Sequence, residues 1–277
     1  MPNEKIQGYD NRVRMYRAKA SSHADLDHDP SDMVQEQIAR LKFFFGQVDG
    51  EGRRILDWGC GTGYCCRYVC EKFGAERAMG ADICPAAVEF ARQAYPEGEF
   101  RVGDLCNPAL DLGWGSWDFV LCCEVFEHVQ DPGALLDGIV RHLAPGGTAL
   151  ISTPNKMVFS LGYEPSPVNR THVKEYRLEE FRQIIASRFS RTELTGQRLK
   201  SRKLFSLHQA ALRRSIRDYR ILGRFYWNPW IRRLFQLARL ERLLRLLHGS
   251  SAWKHDDFEF TSPPCDDSIW FCAVVRK

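Results

Sequence analysis

The sequence predicts a doubly wound α/β fold: a mostly parallel sheet of seven strands, with a basic helical insertion ahead of the last strand. Three observations predict it. Short apolar runs alternate with helical patterns of about ten to twelve residues from Arg54 onward. The first apolar run passes directly into a glycine-rich turn, Gly59–Gly63. Asp57, Asp82, Asp104 and Glu124 each fall at the carboxyl end of an apolar run, where ligands of open α/β sheets bind.

The elements follow in order. Residues 1–30 read as a loosely structured lead-in. Ser31 to Phe45 is a helix with Ser31 as N-cap, and Met33, Val34, Ile38, Leu41 and Phe45 recur at helical spacing. Arg54 to Asp57 is a strand, Tyr64 to Phe73 a helix, Ala78 to Asp82 a strand, and Pro85 to Tyr95 a helix with proline in its first turn. Glu99 to Val102 is the third strand and Trp117 to Cys123 the fourth. Pro132 to Leu143 is a helix, Pro145–Gly147 a turn and Thr148 to Ser152 the fifth strand. Leu178 to Ser187 is a helix, Arg191 to Leu199 the sixth strand and Ser268 to Val275 the last.

Composition is that of a globular chain, with 44% hydrophobic and 27% charged residues. The first twenty residues are polar and charged, and no window reaches eighteen consecutive apolar residues, so a cytoplasmic protein is expected. Ten cysteines without paired metal-site spacing read as reduced thiols, most of them buried. Charge is distributed unevenly. Between Arg198 and Arg245 fourteen Arg and Lys face only Asp218 and Glu241. That local +12, against +4 for the whole chain, leaves −8 elsewhere.

On a helical wheel, Leu204, Phe205, Leu207, Ala211, Leu212, Ile216, Tyr219 and Leu222 occupy one half of Arg202 to Arg224. Arg202, Lys203, Arg213, Arg214, Arg217, Arg220 and Arg224 occupy the other. A second helix starts at Asn228-Pro229 and ends near Gly249. Three uses fit this insertion: a lid on the catalytic domain, a peripheral contact with an anionic membrane through 202–248, or a polyanion site. Nucleic acid is not expected, because no RNA-binding module accompanies the charge.

The central motif is Ile55-Leu-Asp-Trp-Gly-Cys-Gly-Thr-Gly63. Its GxGxG spacing departs from the GxGxxG of dinucleotide sites and suits a cofactor with a charged amino-acid end and no pyrophosphate. Asp82, nineteen residues after Gly63, can accept from both hydroxyls of a ribose. Asp104, twenty-two further on, can accept from an adenine amino group.

With Leu56–Gly63, Gly80-Ala-Asp82-Ile83, Gly103-Asp104-Leu105, Trp117-Asp118-Phe119-Val120, Glu124-Val-Phe-Glu-His-Val129 and Leu143–Gly147, the stretch from Arg54 to about Leu199 resembles the class I S-adenosylmethionine (SAM)-dependent methyltransferases, most closely the ubiquinone-biosynthesis O-methyltransferase group. The resemblance implies a Rossmann-like fold and SAM as cofactor. It implies cofactor contacts at Asp57, Gly59, Cys60, Gly61 and Gly63, at Asp82 and Ile83, at Asp104 and Leu105, and at Cys123. In the relatives, positions matching Glu124, Glu127 and His128 are linked to a divalent metal, which the residue types here allow but which is not expected.

The catalytic candidates are Glu124, His128 and His172. His128 stands at the rim after strand four. His172 lies in Glu164–Tyr176, a segment placed to cover the site. Methyl transfer to a hydroxyl needs in-line alignment and a proton acceptor, which a histidine supplies. The acceptor is expected to be small, amphipathic or lipid-like and methylated on oxygen. An RNA or protein methyltransferase and a catalytically silent SAM-binding scaffold are the alternatives. Cys123-Glu124-Val125-Phe126 stands where amino-group methylation often uses Asn-Pro-Pro-Tyr. The domains are expected as a lead-in and cap helix (1–50), a catalytic core (51–200), the insertion (201–265) and a final core strand (266–277).

Overall fold

The computed structural model describes residues 26–28, 32–112, 116–164, 171–222 and 253–277. The expected N-cap Ser31, the lead-in before residue 26 and the second helix of the insertion lie outside them.

Helix α1 (Asp32–Phe45) precedes β1 (Arg54–Trp58), α2 (Tyr64–Phe73), β2 (Arg77–Asp82), α3 (Pro85–Ala94), β3 (Glu99–Val102) and β4 (Trp117–Cys123). A single 3₁₀ turn at Phe126–His128 leads to α4 (Pro132–His142), β5 (Leu143–Pro154) and the short α5 (Lys156–Phe159). Then come α6 (Leu178–Ala186), β6 (Arg191–Leu199), α7 (Arg202–Leu222), β7 (Phe258–Thr261) and β8 (Trp270–Arg276).

The sheet order is β3-β2-β1-β4-β5-β8-β6-β7. From β3 to β5 it is parallel, whereas β8 runs antiparallel to both β5 and β6. The chain winds outward from β1 to β3 and then returns to β4 on the other side of β1. That reversal opens a crevice beyond the ends of β1 and β4.

Alternation sorts the strand residues between two cores. Leu56 and Trp58 of β1 join Val120 and Cys122 of β4 beneath α4 and α6. Ile55, Phe119 and Leu121 join Val34, Ile38, Leu41 and Phe44 of α1 and Tyr68 and Val69 of α2. Asp131 caps α4 by accepting from Ala134 N at 3.0 Å, with proline following in the first turn.

Two expectations need correction. The sheet has eight strands, not seven, because Phe258-Glu-Phe-Thr261, inside the stretch read as insertion, pairs antiparallel with β6. The Pro145–Gly147 turn is a bulge within β5, with Gly146 at φ 76°, as Leu143 already pairs with Trp117. All ten cysteines are free thiols, and Cys60, Cys65, Cys66, Cys84, Cys122 and Cys272 are buried. Among the described residues no helix is long and apolar enough to cross a membrane.

Among its described side chains, the apolar side of α7 faces protein. Leu204 and Phe205 pack on Leu199, Phe258 and Trp270, and Leu212 and Ile216 are buried. Gln209 Nε2 donates to the Val158 carbonyl at 3.2 Å. Arg202, Lys203, Arg213, Arg214 and Arg217 are exposed.

Candidate active site

The glycine turn sits at the end of β1 because its backbone is tied to β2. Gly59 and Cys60 N–H groups both donate to the Ala81 carbonyl, at 2.8 and 3.0 Å. Gly59 has φ 100°, and a Cβ there would stand 2.3 Å from Val125 Cγ2, so only glycine fits. Gly61, at φ 52°, has nothing within 4 Å of where a Cβ would project. Its open side belongs to a cavity of about 480 Å³.

That cavity is lined by Asp57, Gly59, Cys60, Gly61, Asp82, Ile83, Asp104, Leu105 and Cys123. Gly63 is not among the lining residues: its φ of 80° admits the chain to α2, and its missing side chain makes room for Phe100 and Ala91.

Asp82 is the hub of this half. Oδ2 accepts from Gly61 N and Oδ1 from Cys84 N, both at 2.8 Å. The Ile83 backbone also hydrogen-bonds this carboxylate, which lies on the cavity wall. Asp57 is equally buried, and its Oδ2 accepts from Cys66 Sγ at 3.9 Å. Burial, reinforced by the Asp82 carboxylate, pushes Asp57 up to about 7. Burial also raises Asp82, against its backbone hydrogen bonds. Neither acid has a cationic partner among the described residues, so a ligand carrying positive charge is what these two neighbours lack.

Glu124 and His128 line the same cavity. Glu124 adopts φ 58°, a strained conformation for a side chain of its size. Its Oε1 accepts from Ser152 Oγ at 2.9 Å and lies 3.7 Å from Arg40 Nη1, and its Oε2 accepts from Trp270 Nε1 at 3.0 Å. The carboxylate is thus engaged by three side chains of the scaffold.

His128 and His172 come together around Glu127 instead. Their rings meet edge to face at 4.8 Å between centroids. His128 Nδ1 lies 2.9 Å from the Thr171 carbonyl, which can only accept, so Nδ1 carries the proton. Nε2 then lies 3.7 Å from Glu127 Oε1. His172 Nδ1 lies 2.7 Å from Glu175 Oε1, and its Nε2 stands 3.9 Å from the same Glu127 oxygen. Glu127 Oε2 accepts from Thr153 Oγ1 at 3.2 Å. Burial, with the nearby carboxylates of Glu124 and Glu175, pushes Glu127 well above the usual carboxylate range.

The ligating atoms of Glu127, His128 and His172 all lie within 4.8 Å of one another. One carboxylate oxygen and two imidazole nitrogens form a donor set that suits a divalent cation. Glu124 stands outside this group, its carboxylate turned toward Ser152, Trp270 and Arg40.

Sequence reasoning missed the wall supplied by α1. Met33, Gln37 and Arg40, spaced at four and three residues, face the cavity. Arg40 is 1% exposed; it donates from Nε to Gln37 Oε1 at 3.1 Å and from Nη1 to Gln197 Oε1 at 2.9 Å, and it stacks over Trp270. The only signal was two polar residues bordering the apolar stripe of Val34, Ile38 and Leu41.

The methyltransferase domain family profile matches residues 32–198, more than half of the chain. The chain belongs to this family. It is a SAM-dependent methyltransferase. A probable SAM-dependent methyltransferase of Mycolicibacterium smegmatis is 29% identical over 237 residues, 82% of each chain. A ubiquinone biosynthesis O-methyltransferase of Xanthomonas oryzae pv. oryzae is 32% identical over 144 residues; the match covers 51% of this methyltransferase and 59% of that protein. Among solved structures, a SAM-dependent methyltransferase of Archaeoglobus fulgidus shares the fold at TM-score 0.54 and 16% identity, over 88% of this chain and 94% of its own. Phosphoethanolamine N-methyltransferase 2 of Haemonchus contortus, in complex with SAM, does so at TM-score 0.52 and 20% identity, over 86% and 51%.

Proposed function

We propose that this methyltransferase moves the SAM methyl group to a hydroxyl oxygen of a small or amphipathic acceptor, with the pair His128 and His172 receiving the proton. The observation that carries this reading is the pair of Nε2 atoms converging on one buried carboxylate oxygen, with His128 on the wall of the cavity. In the step, an acceptor oxygen attacks the methyl carbon in line with the sulfonium. The C–O bond forms, the C–S bond breaks, S-adenosylhomocysteine leaves, and the hydroxyl proton passes to a histidine.

The residues divide the work. Asp57 and Asp82 oppose positive charge on the cofactor with buried negative charge, and Asp82 also accepts from the ribose. Glu124 fixes the end of β4 through Ser152, Trp270 and Arg40. Glu127, His128 and His172 are also the residues that would hold a divalent cation, which would occupy both Nε2 atoms and, in place of proton acceptance by the histidines, supply positive charge that makes an acceptor hydroxyl more acidic.

The α7 helix suits a lid that spends its apolar side on the domain and presents its cations outward. Those cations give an anionic membrane an electrostatic hold on an enzyme whose acceptor is lipid-like, roughly 1 kcal/mol for each Lys or Arg near the surface.

Replacing His128 or His172 by Asn tests the reading. Transfer of labelled methyl into an extract should fall at least about a hundredfold while SAM affinity stays unchanged. Transfer within a few fold of the unaltered enzyme would refute the assignment.

A further inference from the structure

One buried acid beside the histidine pair has no part in the reaction described above. Glu175 is 4% exposed. Its Oε1 accepts from His172 Nδ1 at 2.7 Å, and its Oε2 is buried with no hydrogen-bond partner among the described residues. A carboxylate kept dry in this way is costly unless its charge serves something nearby.

The surroundings show what it serves. His172 is clamped between Phe159, whose ring stacks on it at 5.4 Å, and His128. The backbone of the same segment is fastened to the 3₁₀ turn, Val173 and Lys174 N–H both donating to the Glu127 carbonyl, at 2.7 and 3.2 Å. Packing therefore fixes where the His172 ring lies, but a flat aromatic contact does not choose between its two nitrogens. The Glu175 carboxylate does, because it holds the proton on Nδ1 and leaves the lone pair on Nε2. With Thr171 doing the same for His128, both donors of the Glu127 triangle are aimed by the 171–175 segment.

We propose that Glu175 is a positioning residue for a divalent cation held by Glu127, His128 and His172. It fixes the tautomer and direction of His172 and strengthens its Nε2 as a donor, the role that carboxylates behind ligating histidines commonly play. The proposal rests on the reading of those three residues as cation ligands.

Mn²⁺ titrated into the full chain, followed by the loss of the free-ion EPR signal and by calorimetry, provides the test. The unaltered protein should bind Mn²⁺. Glu175→Gln should weaken binding about 10- to 100-fold, with SAM affinity unchanged as the check on folding. Glu175→Asp keeps the charge and withdraws the oxygen, and should also weaken Mn²⁺. It carries the test should Glu175→Gln fail to fold. Mn²⁺ affinity unaltered in a folded variant would overturn the role of Glu175 alone. No Mn²⁺ binding by the unaltered protein would overturn the cation reading and the proposal together, while leaving the histidines as proton acceptors.

Discussion

Gly61 N–H donates to Asp82 Oδ2 at 2.8 Å, so the glycine turn after β1 and the acid ending β2 form one unit. Removing the carboxylate strips the backbone donors of Gly61 and Cys84 of their acceptor as well as the ribose of its own. Asp82→Ala should weaken SAM by tenfold or more, about 1.4 kcal/mol, and lower stability by about 1–3 kcal/mol. Calorimetric SAM titration and denaturant unfolding measure the two effects. An unchanged SAM affinity would refute the ribose role.

The two outer constraints on the turn separate in Gly59 and Gly61. Gly59→Ala collides with Val125 and strains φ, so a large loss of stability should be seen by thermal unfolding. Gly61→Ala meets open space and strains φ alone, about 1 kcal/mol. Its side chain projects into the cavity, so SAM affinity should fall far more than stability does. Equal losses of stability in the two variants would contradict this geometry.

Asp57 makes SAM binding depend on pH. Its folded value is raised to about 7, so the free enzyme holds a proton there below neutrality. A cationic ligand favours the ionised acid, so binding should expel that proton and affinity should rise with pH, levelling above about pH 8. The ligand-free enzyme should meanwhile lose stability from about pH 4 to about pH 7, since the unfolded chain has already released the proton. Calorimetry in buffers of different ionisation enthalpy counts protons, and a count of zero near pH 6.5 would contradict the account.

Arg40 and Glu124 are coupled across the cavity wall. Arg40→Met should cost about 3 kcal/mol, because it leaves Glu124 beside Trp270 without its cation. Glu124→Gln added to Arg40→Met should restore part of that loss, and strictly additive effects would show that the pair does not interact.

The core and the cofactor half of the site were legible for a common physical reason. Hydrophobic period, glycine spacing and strand-end acids are local properties, so Tyr64–Phe73 and Arg191–Leu199 fall where the pattern placed them. Long-range relationships left weaker marks. Strand β7 is four residues long, too short for alternation to stand out beside the charge of the insertion. Gly63 looks like Gly61 in sequence, and it is Phe100 of β3 and Ala91 of α3, packed against it, that set them apart. Glu124 and Glu127 are both acids after β4, yet the positive φ of Glu124 sends its carboxylate to Ser152 and Trp270. Glu175, three residues after His172, carried a local signal that the reading passed over.

The most direct test of the account is transfer of labelled methyl from SAM into fractionated cell extract, with lipid, small-solute, nucleic-acid and protein fractions counted separately and the labelled product analysed for its new bond. The account predicts label in the lipid or small-solute fraction as a methyl ether, lost in the His128→Asn enzyme. Label in nucleic acid or protein, or a methyl group bonded to nitrogen, would contradict it.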